Sequence, residues 1–333
     1  MGDALRRPGR RRFLFGGTAL GIAGAARAQT GGGGFAPSRP VTLVVNSPAG
    51  GSTDFSARLV AEPLSARLGV PVVVENRPGG AGVVGVQHAA RARPDGHTLL
   101  VGYSGTITGW PPVRGTADID PQRDFVPIAL LTEAPQVMMV HPSVPVNTLP
   151  EFIAYAKARP GQLAYGSSGN GSLQHLGTEL LKHRTGIDLL HVSYRGTGET
   201  MADFLSGRLQ FYMTTPPPVL TSIRDGKLRA IAMASPRRHP SLPDVPTTAE
   251  AGLADYSAEA WFGLFAQAAT PPEIIARYAR EVEAVLAEPA VANRALEAGA
   301  FARFEDPGTL KARVDRELAG WTALVKALGI KPD

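Results

Sequence analysis

From Val41 onward the chain repeats one local pattern: a short run of β-branched and apolar residues, a loop rich in glycine and hydroxyl side chains, then apolar residues at helical spacing. A short apolar run bounded by turn residues reads as a strand buried on both faces. Strands that alternate with helices pair in parallel, with the helices covering the sheet. Val41–Val45 opens the pattern and ends in the loop 48–54. The next helix carries Phe55, Leu59, Leu64 and Leu68 on one face, is expected to kink at Pro63, and stops at Gly69. Strands follow at 70–75 and Thr98–Tyr103. Thr148 and Glu151 form a capping box for a helix through Ala158. A strand at 163–166, a helix aligning Leu173, Leu176 and Leu180, and strands at 189–193, 209–213 and 228–234 continue the alternation. The last third is mostly helical, at 271–287, 288–298 and 308–328. The fold class is α/β.

The N-terminus follows other rules. Arg10-Arg11-Arg12-Phe13-Leu14 precedes a weakly apolar run that closes on Ala26-Arg27-Ala28. A charged start, a short apolar stretch and a small-x-small site define an export signal over 1–28, and the arginine pair is twin-arginine-like. The run of about eleven residues is too short for a hydrocarbon core of roughly 30 Å. Residues 29–38, with four consecutive glycines, read as a flexible tether. The leader also explains the basic pI near 9.6. It holds six of the 34 basic and one of the 29 acidic residues, so residues 29–333 carry 28 of each. No electrostatic footprint for nucleic acid remains.

The chemistry has few places to sit. With no cysteine, a thiolate nucleophile, a disulfide framework and Cys-ligated metal sites are all excluded. His175, His183 and His191 do not share a helix face, no H-E-x-x-H occurs, and neither a metal nor a cofactor is expected. Gly80 to Gly85 matches G-x-G-x-x-G but lacks the acid that a dinucleotide site wants after the next strand. Neither Ser104 nor Ser168 lies in G-x-S-x-G. His175 and Glu179 stand at i,i+4, a spacing that serves a structural hydrogen bond. Tyr194, Trp261 and Phe262 read by default as core. What remains are three strand-end loops, 48–54, 104–106 and 167–172, rich in Gly, Ser and Thr. Each is either an ordinary helix-capping turn or part of an anion seat at the carboxyl end of a sheet.

The same residues resemble one family. Pro48-Ala49-Gly50-Gly51-Ser52-Thr53-Asp54, Val74-Glu75-Asn76-Arg77-Pro78-Gly79, Pro94-Asp95-Gly96-His97-Thr98-Leu99-Leu100 and Ser167-Ser168-Gly169-Asn170-Gly171-Ser172 are similar to elements of the Bug-type solute receptors. So are Leu242-Pro243-Asp244-Val245-Pro246-Thr247 and Trp261-Phe262-Gly263. These receptors are the extracytoplasmic binding proteins of tripartite tricarboxylate transporters. The resemblance implies a type II periplasmic binding protein fold, α/β, with a ligand cleft between two lobes. Lobe 1 would comprise 39–135 plus 258–333, and lobe 2 would comprise 136–257. It implies a periplasmic, monomeric, non-enzymatic receptor for a di- or tricarboxylate or an aromatic carboxylate, delivering it to the membrane permease subunits. The alternatives are a ligand sensor for a signalling partner or a serine-dependent hydrolase. Carried onto this chain, the ligand-binding set is Ala49, Gly50, Gly51, Ser52, Thr53, Asp54, Ser104, Thr106, Ser168, Asn170, Gly171, Ser172, Tyr194, Thr214 and Thr215. Many family members have Pro at the position of Ser193 and an Asp-Asn pair where this chain has Thr214-Thr215. Without that acid, a ligand ammonium has no counter-charge here.

Overall fold

A computed structural model describes residues 35–79, 82–116, 119–254 and 256–330. The export signal at 1–28, and the tether as far as residue 34, lie outside the described residues. Phe35 corrects the remainder of the tether. Its ring packs 6.0 Å from His97 and 5.8 Å from Tyr278, so the chain is already held to the core there. Phe35 is partly buried, so it gains part of the roughly 1.5–3 kcal/mol that full burial of such a side chain provides.

The elements run β1 Val41–Val45, α1 Ser52–Leu68, β2 Val72–Asn76, α2 Val83–Ala90, β3 Thr98–Tyr103, a π-helical turn Gly105–Gly109, α3 Trp110–Arg114, α4 Pro121–Asp124, β4 Phe125–Pro135 and β5 Val137–Val140. They continue with α5 Leu149–Lys157, β6 Ala164–Ser167, α6 Leu173–Thr185, β7 Leu190–Ser193, α7 Thr197–Leu205, β8 Phe211–Thr214, α8 Leu220–Arg224 and β9 Arg229–Met233. The chain then forms β10 Glu259–Gln267, α9 Pro272–Leu286, α10 Pro289–Glu297, β11 Phe301–Ala302 and α11 Pro307–Leu328. Local signals account for several boundaries. Gly69 ends α1 in the left-handed region, at φ 71°, with its N–H on Ser65 O. Pro63 sits inside α1, which continues to Leu68. The Thr148 hydroxyl accepts from Glu151 N, and the Glu151 carboxylate reaches back to Asn147 N at 2.7 Å.

Two sheets result. One has the order β11-β4-β10-β3-β1-β2 and the other β7-β6-β8-β5-β9. Neither is purely parallel. β1 pairs in parallel with β2 and β3, but β10 runs antiparallel between β3 and β4, and β5 runs antiparallel between β8 and β9. The expectation of parallel pairing fails at β4, β5 and β10, which the sequence pattern did not separate as strands. Almost every residue of these three is buried, so they show no polar alternation.

Because successive side chains point to opposite faces, each sheet carries two apolar layers. Val41, Leu43 and Val45 pack with α1 and α9, whereas Val44 and Leu100 pack with α2 and α11. Met138 and Val140 face α5 and α6, whereas Val137 and Met139 face α7 and α8. The chain passes from the first sheet to the second through Gln136 and returns through Ala258. These two crossings are tied to each other by Gln136 N to Ala258 O at 2.9 Å. Ala234 N to Gln136 O at 2.8 Å and Ala258 N to Ala234 O at 3.0 Å complete the seam. The strand ends that carry hydroxyl-rich loops meet at this place.

Candidate functional site

A cavity of about 50 Å³ lies between the two sheets, against roughly 10–15 Å³ for one water on the same measure. The lobes are shut around it. Ser52 Oγ and Thr215 Oγ1 share a hydrogen bond of 2.5 Å although they are 163 residues apart. The Tyr103 hydroxyl at the end of β3 hydrogen-bonds Ser168 and Thr106. Burial raises its pKa, and the two hydrogen bonds oppose that.

Of the expected set, Gly51, Ser52, Thr53, Ser168, Thr214 and Thr215 line the cavity. The others are placed elsewhere, for identifiable reasons. Ala49 and Gly50 are exposed on the outer side of the loop. Asp54 braces that loop: it accepts from Gly50 N at 3.0 Å, from Arg58 Nε at 3.0 Å and from Asn76 Nδ2 at 3.0 Å. Burial would raise its pKa, but those bonds outweigh it and hold the carboxyl below its usual value. Thr106 accepts from Asn46 Nδ2 at 2.9 Å and so steadies a lining residue. Ser104 borders a separate groove beside Leu173 and Trp321. Ser172 caps α6 through His175 N, and Gly171 N donates to His175 Nδ1. Asn170 is buried in the same turn. Gly171 seals the closed lobes, since a Cβ on Gly109 would lie 2.5 Å from its carbonyl oxygen. Tyr194 turns into the second lobe, where its hydroxyl donates to Asp203 at 2.8 Å. Burial, then Asp203, pushes its pKa up to about 12.

Other lining residues were not anticipated: Asn46, Ser47, Gly82, Tyr103, Gln136, Gln174, Arg195, Gly196, Thr197, Ala260 and Phe262. Asn46 and Ser47 end a recognised strand, and Gly196-Thr197 begins a helix after β7. Both follow the rule already applied to the other loops. Gly82 belongs to the discounted G-x-G-x-x-G run. It has φ 95°, and a Cβ there would fall 2.6 Å from Asn46 Nδ2, so the glycine serves close approach of α2 to the site. Gln136 and Phe262 carry no local signal.

The electrostatics favour an anion. α1 and α7 start at Gly51 and Gly196, and neither N-cap supplies a side-chain acceptor. First-turn amides and a partial positive charge of about 0.5 are therefore presented from both lobes. The two helix starts are close, for a Cβ on Gly51 would sit 4.0 Å from Thr197 Oγ1. Among the described residues the lining has no Asp or Glu. Its single cation is Arg195, exposed at the mouth and paired with Glu199 at 3.2 Å.

Among the described residues, no serine that lines the cavity hydrogen-bonds a histidine. Ser168 Oγ donates to the Gln174 side-chain oxygen at 3.2 Å. The Ser167–His191 contact of 2.6 Å involves a fully buried serine outside the lining. Glu179 takes the Tyr165 hydroxyl at 2.7 Å and Lys182 at 2.9 Å. No group of three or more metal-ligating side chains occurs among the described residues.

Residues 56–330 match the family described as the tripartite tricarboxylate transporter family receptor. BugT of Bordetella pertussis is 35% identical over 301 residues, 89% of this chain and 91% of that protein. Rpa4515 of R. palustris, solved with adipate, is 34% identical with a TM-score of 0.86, covering 89% of this chain and 99% of its own. MatC of Rhodopseudomonas palustris, solved with malate, is 33% identical with a TM-score of 0.82, covering 87% and 99%. The two-lobed, type II periplasmic binding protein fold is common to this chain and these solved structures. The chain belongs to the tripartite tricarboxylate transporter receptor family.

Proposed function

We propose that this protein is a periplasmic receptor that captures a small carboxylate between its lobes and presents it to the permease subunits of a tripartite transporter. The observation that carries the reading is the pair of uncapped helix starts facing each other across a cavity with no acid in its lining. Two such helix starts, close together, suit a carboxylate held from both lobes. Each contributes about 0.3–2 kcal/mol according to burial. The adipate and malate bound to Rpa4515 and MatC support the same class. The binding residues are Gly51, Ser52 and Thr53 from the first lobe, and Ser168, Gly196, Thr197, Thr214 and Thr215 from the second. The lobes are 39–135 with 258–333, and 136–257. The protein acts by binding alone, since no serine of the cavity meets a base.

A thermal-shift screen of short di- and tricarboxylates tests this. A ligand at 100 times its Kd should stabilise the native state by about 2.7 kcal/mol. It should be recovered chemically unchanged. A panel in which no carboxylate raises the Tm refutes the proposal, and conversion of the ligand would favour the hydrolase.

A further inference from the structure

We infer that the ligand of this cleft carries a hydroxyl group, read by the side-chain oxygens of Gln136 and Asn46. The inference rests on the carboxylate reading above and narrows it to hydroxylated di- or tricarboxylates. Gln136 is 1% exposed and lines the cavity at the crossing between the lobes, where its backbone is fixed by Ala258 and Ala234. Its Oε1 is buried and has no hydrogen-bond partner. Asn46 is 2% exposed. It spends Nδ2 on Thr106, which leaves its Oδ1 buried and unpartnered as well.

Both atoms are amide oxygens that can only accept. An ionised carboxylate also only accepts. It satisfies the amides of α1 and α7 and leaves these two oxygens unmet, a costly state for a buried polar atom. What these two oxygens lack is a donor. A ligand can supply one as an ammonium or as a hydroxyl. The ammonium brings a positive charge, and no Asp or Glu lines the cavity to receive it. Asp54 is already committed to Gly50, Arg58 and Asn76. A buried unpaired charge is strongly disfavoured. The hydroxyl delivers the proton without the charge. Tyr103, Ala260 and Phe262 supply the apolar surface that flanks the cavity. A site built to bond a ligand hydroxyl discriminates strongly against the analogue lacking it.

Matched pairs test this by calorimetry on the mature protein: malate against succinate, citrate against tricarballylate, and malate against aspartate. The expected result is at least tenfold tighter binding of the hydroxylated member in one of the first two pairs, and of malate over aspartate. Less than tenfold preference in both hydroxyl pairs, or aspartate binding as tightly as malate, overturns the inference while leaving the carboxylate receptor standing. Failure of every carboxylate overturns the receptor reading itself. Gln136→Met, which keeps length and removes the acceptor, should bring the hydroxyl preference below threefold and leave the weaker member of the pair within threefold of its wild-type affinity. A preference that survives in the folded variant removes Gln136 as its reader.

Discussion

Closure of the cleft can be tested without touching the ligand, at Gly109. This residue lies at the end of the π-helical turn in the first lobe, with φ −84°, so alanine is conformationally acceptable there. Its position against the second lobe leaves no space. A Cβ would stand 2.5 Å from Gly171 O and 3.0 Å from Leu176 Cδ1, where ordinary contact begins at 3.4 Å. The leucine methyl can rotate away, but the backbone carbonyl cannot. Closing the lobes on Gly109→Ala therefore requires a displacement of about 0.9 Å at this seam. Overpacking of this kind costs about 1–3 kcal/mol. The cost falls on the closed state alone, because an opened cleft separates Gly109 from Gly171. Apparent affinity should consequently drop by about 5- to 150-fold, with the Tm of the ligand-free protein lowered only to the extent that it is already closed. Calorimetry gives the affinity, and small-angle scattering with and without ligand gives the compaction. Gly320→Ala, in α11, is the control. Its Cβ meets nothing within 4 Å, so it should leave affinity unchanged. Wild-type affinity together with wild-type compaction in Gly109→Ala would refute the reasoning.

Two further outcomes follow from the described contacts and the leader. Asp54→Asn should lower stability at neutral pH by about 1–3 kcal/mol through loss of the charged brace. Since the folded Asp54 pKa lies below its usual value, the native state binds this proton less readily than the unfolded chain does. The contribution is full above about pH 4–5 and is lost as pH falls through the folded pKa. Urea midpoints from pH 7 down to pH 3 should fall more steeply for wild type than for the variant, and parallel curves would contradict this. Replacing Arg10 and Arg11 by Lys should retain the precursor in the cytoplasm, while the wild-type periplasmic form should begin at Gln29 by intact mass. Efficient export of the lysine pair would rule out the twin-arginine route.

The readable parts of this protein are those whose physics is local. β-branched runs, the Gly69 stop, the Thr148–Glu151 box and the strand-end glycine loops each act within a few residues, and the structure has them within one or two positions. The first loop was legible as a candidate seat because a strand, glycines and a helix start lie side by side in the chain. The same signals could not say which residues of a loop face inward. Asp54 is taken up by Gly50, Arg58 and Asn76, and Ser172 by His175 N in its own turn, whereas Ser52 and Thr53 face the cleft. Tyr194 was drawn away by Asp203, nine residues on. Gln136 and Phe262 come from the crossing and from a strand buried on both faces, where an apolar run carries no phase to mark it. The antiparallel place of β10 between β3 and β4 depends on partners more than a hundred residues distant. Apart from β4, β5 and β10, the sequence alone determined which segments become strands, turns and helix starts, because those energies are settled between neighbours. Tertiary structure decided which polar atoms face the cavity, because that depends on which groups, such as Ser52 and Thr215, are brought together from opposite lobes.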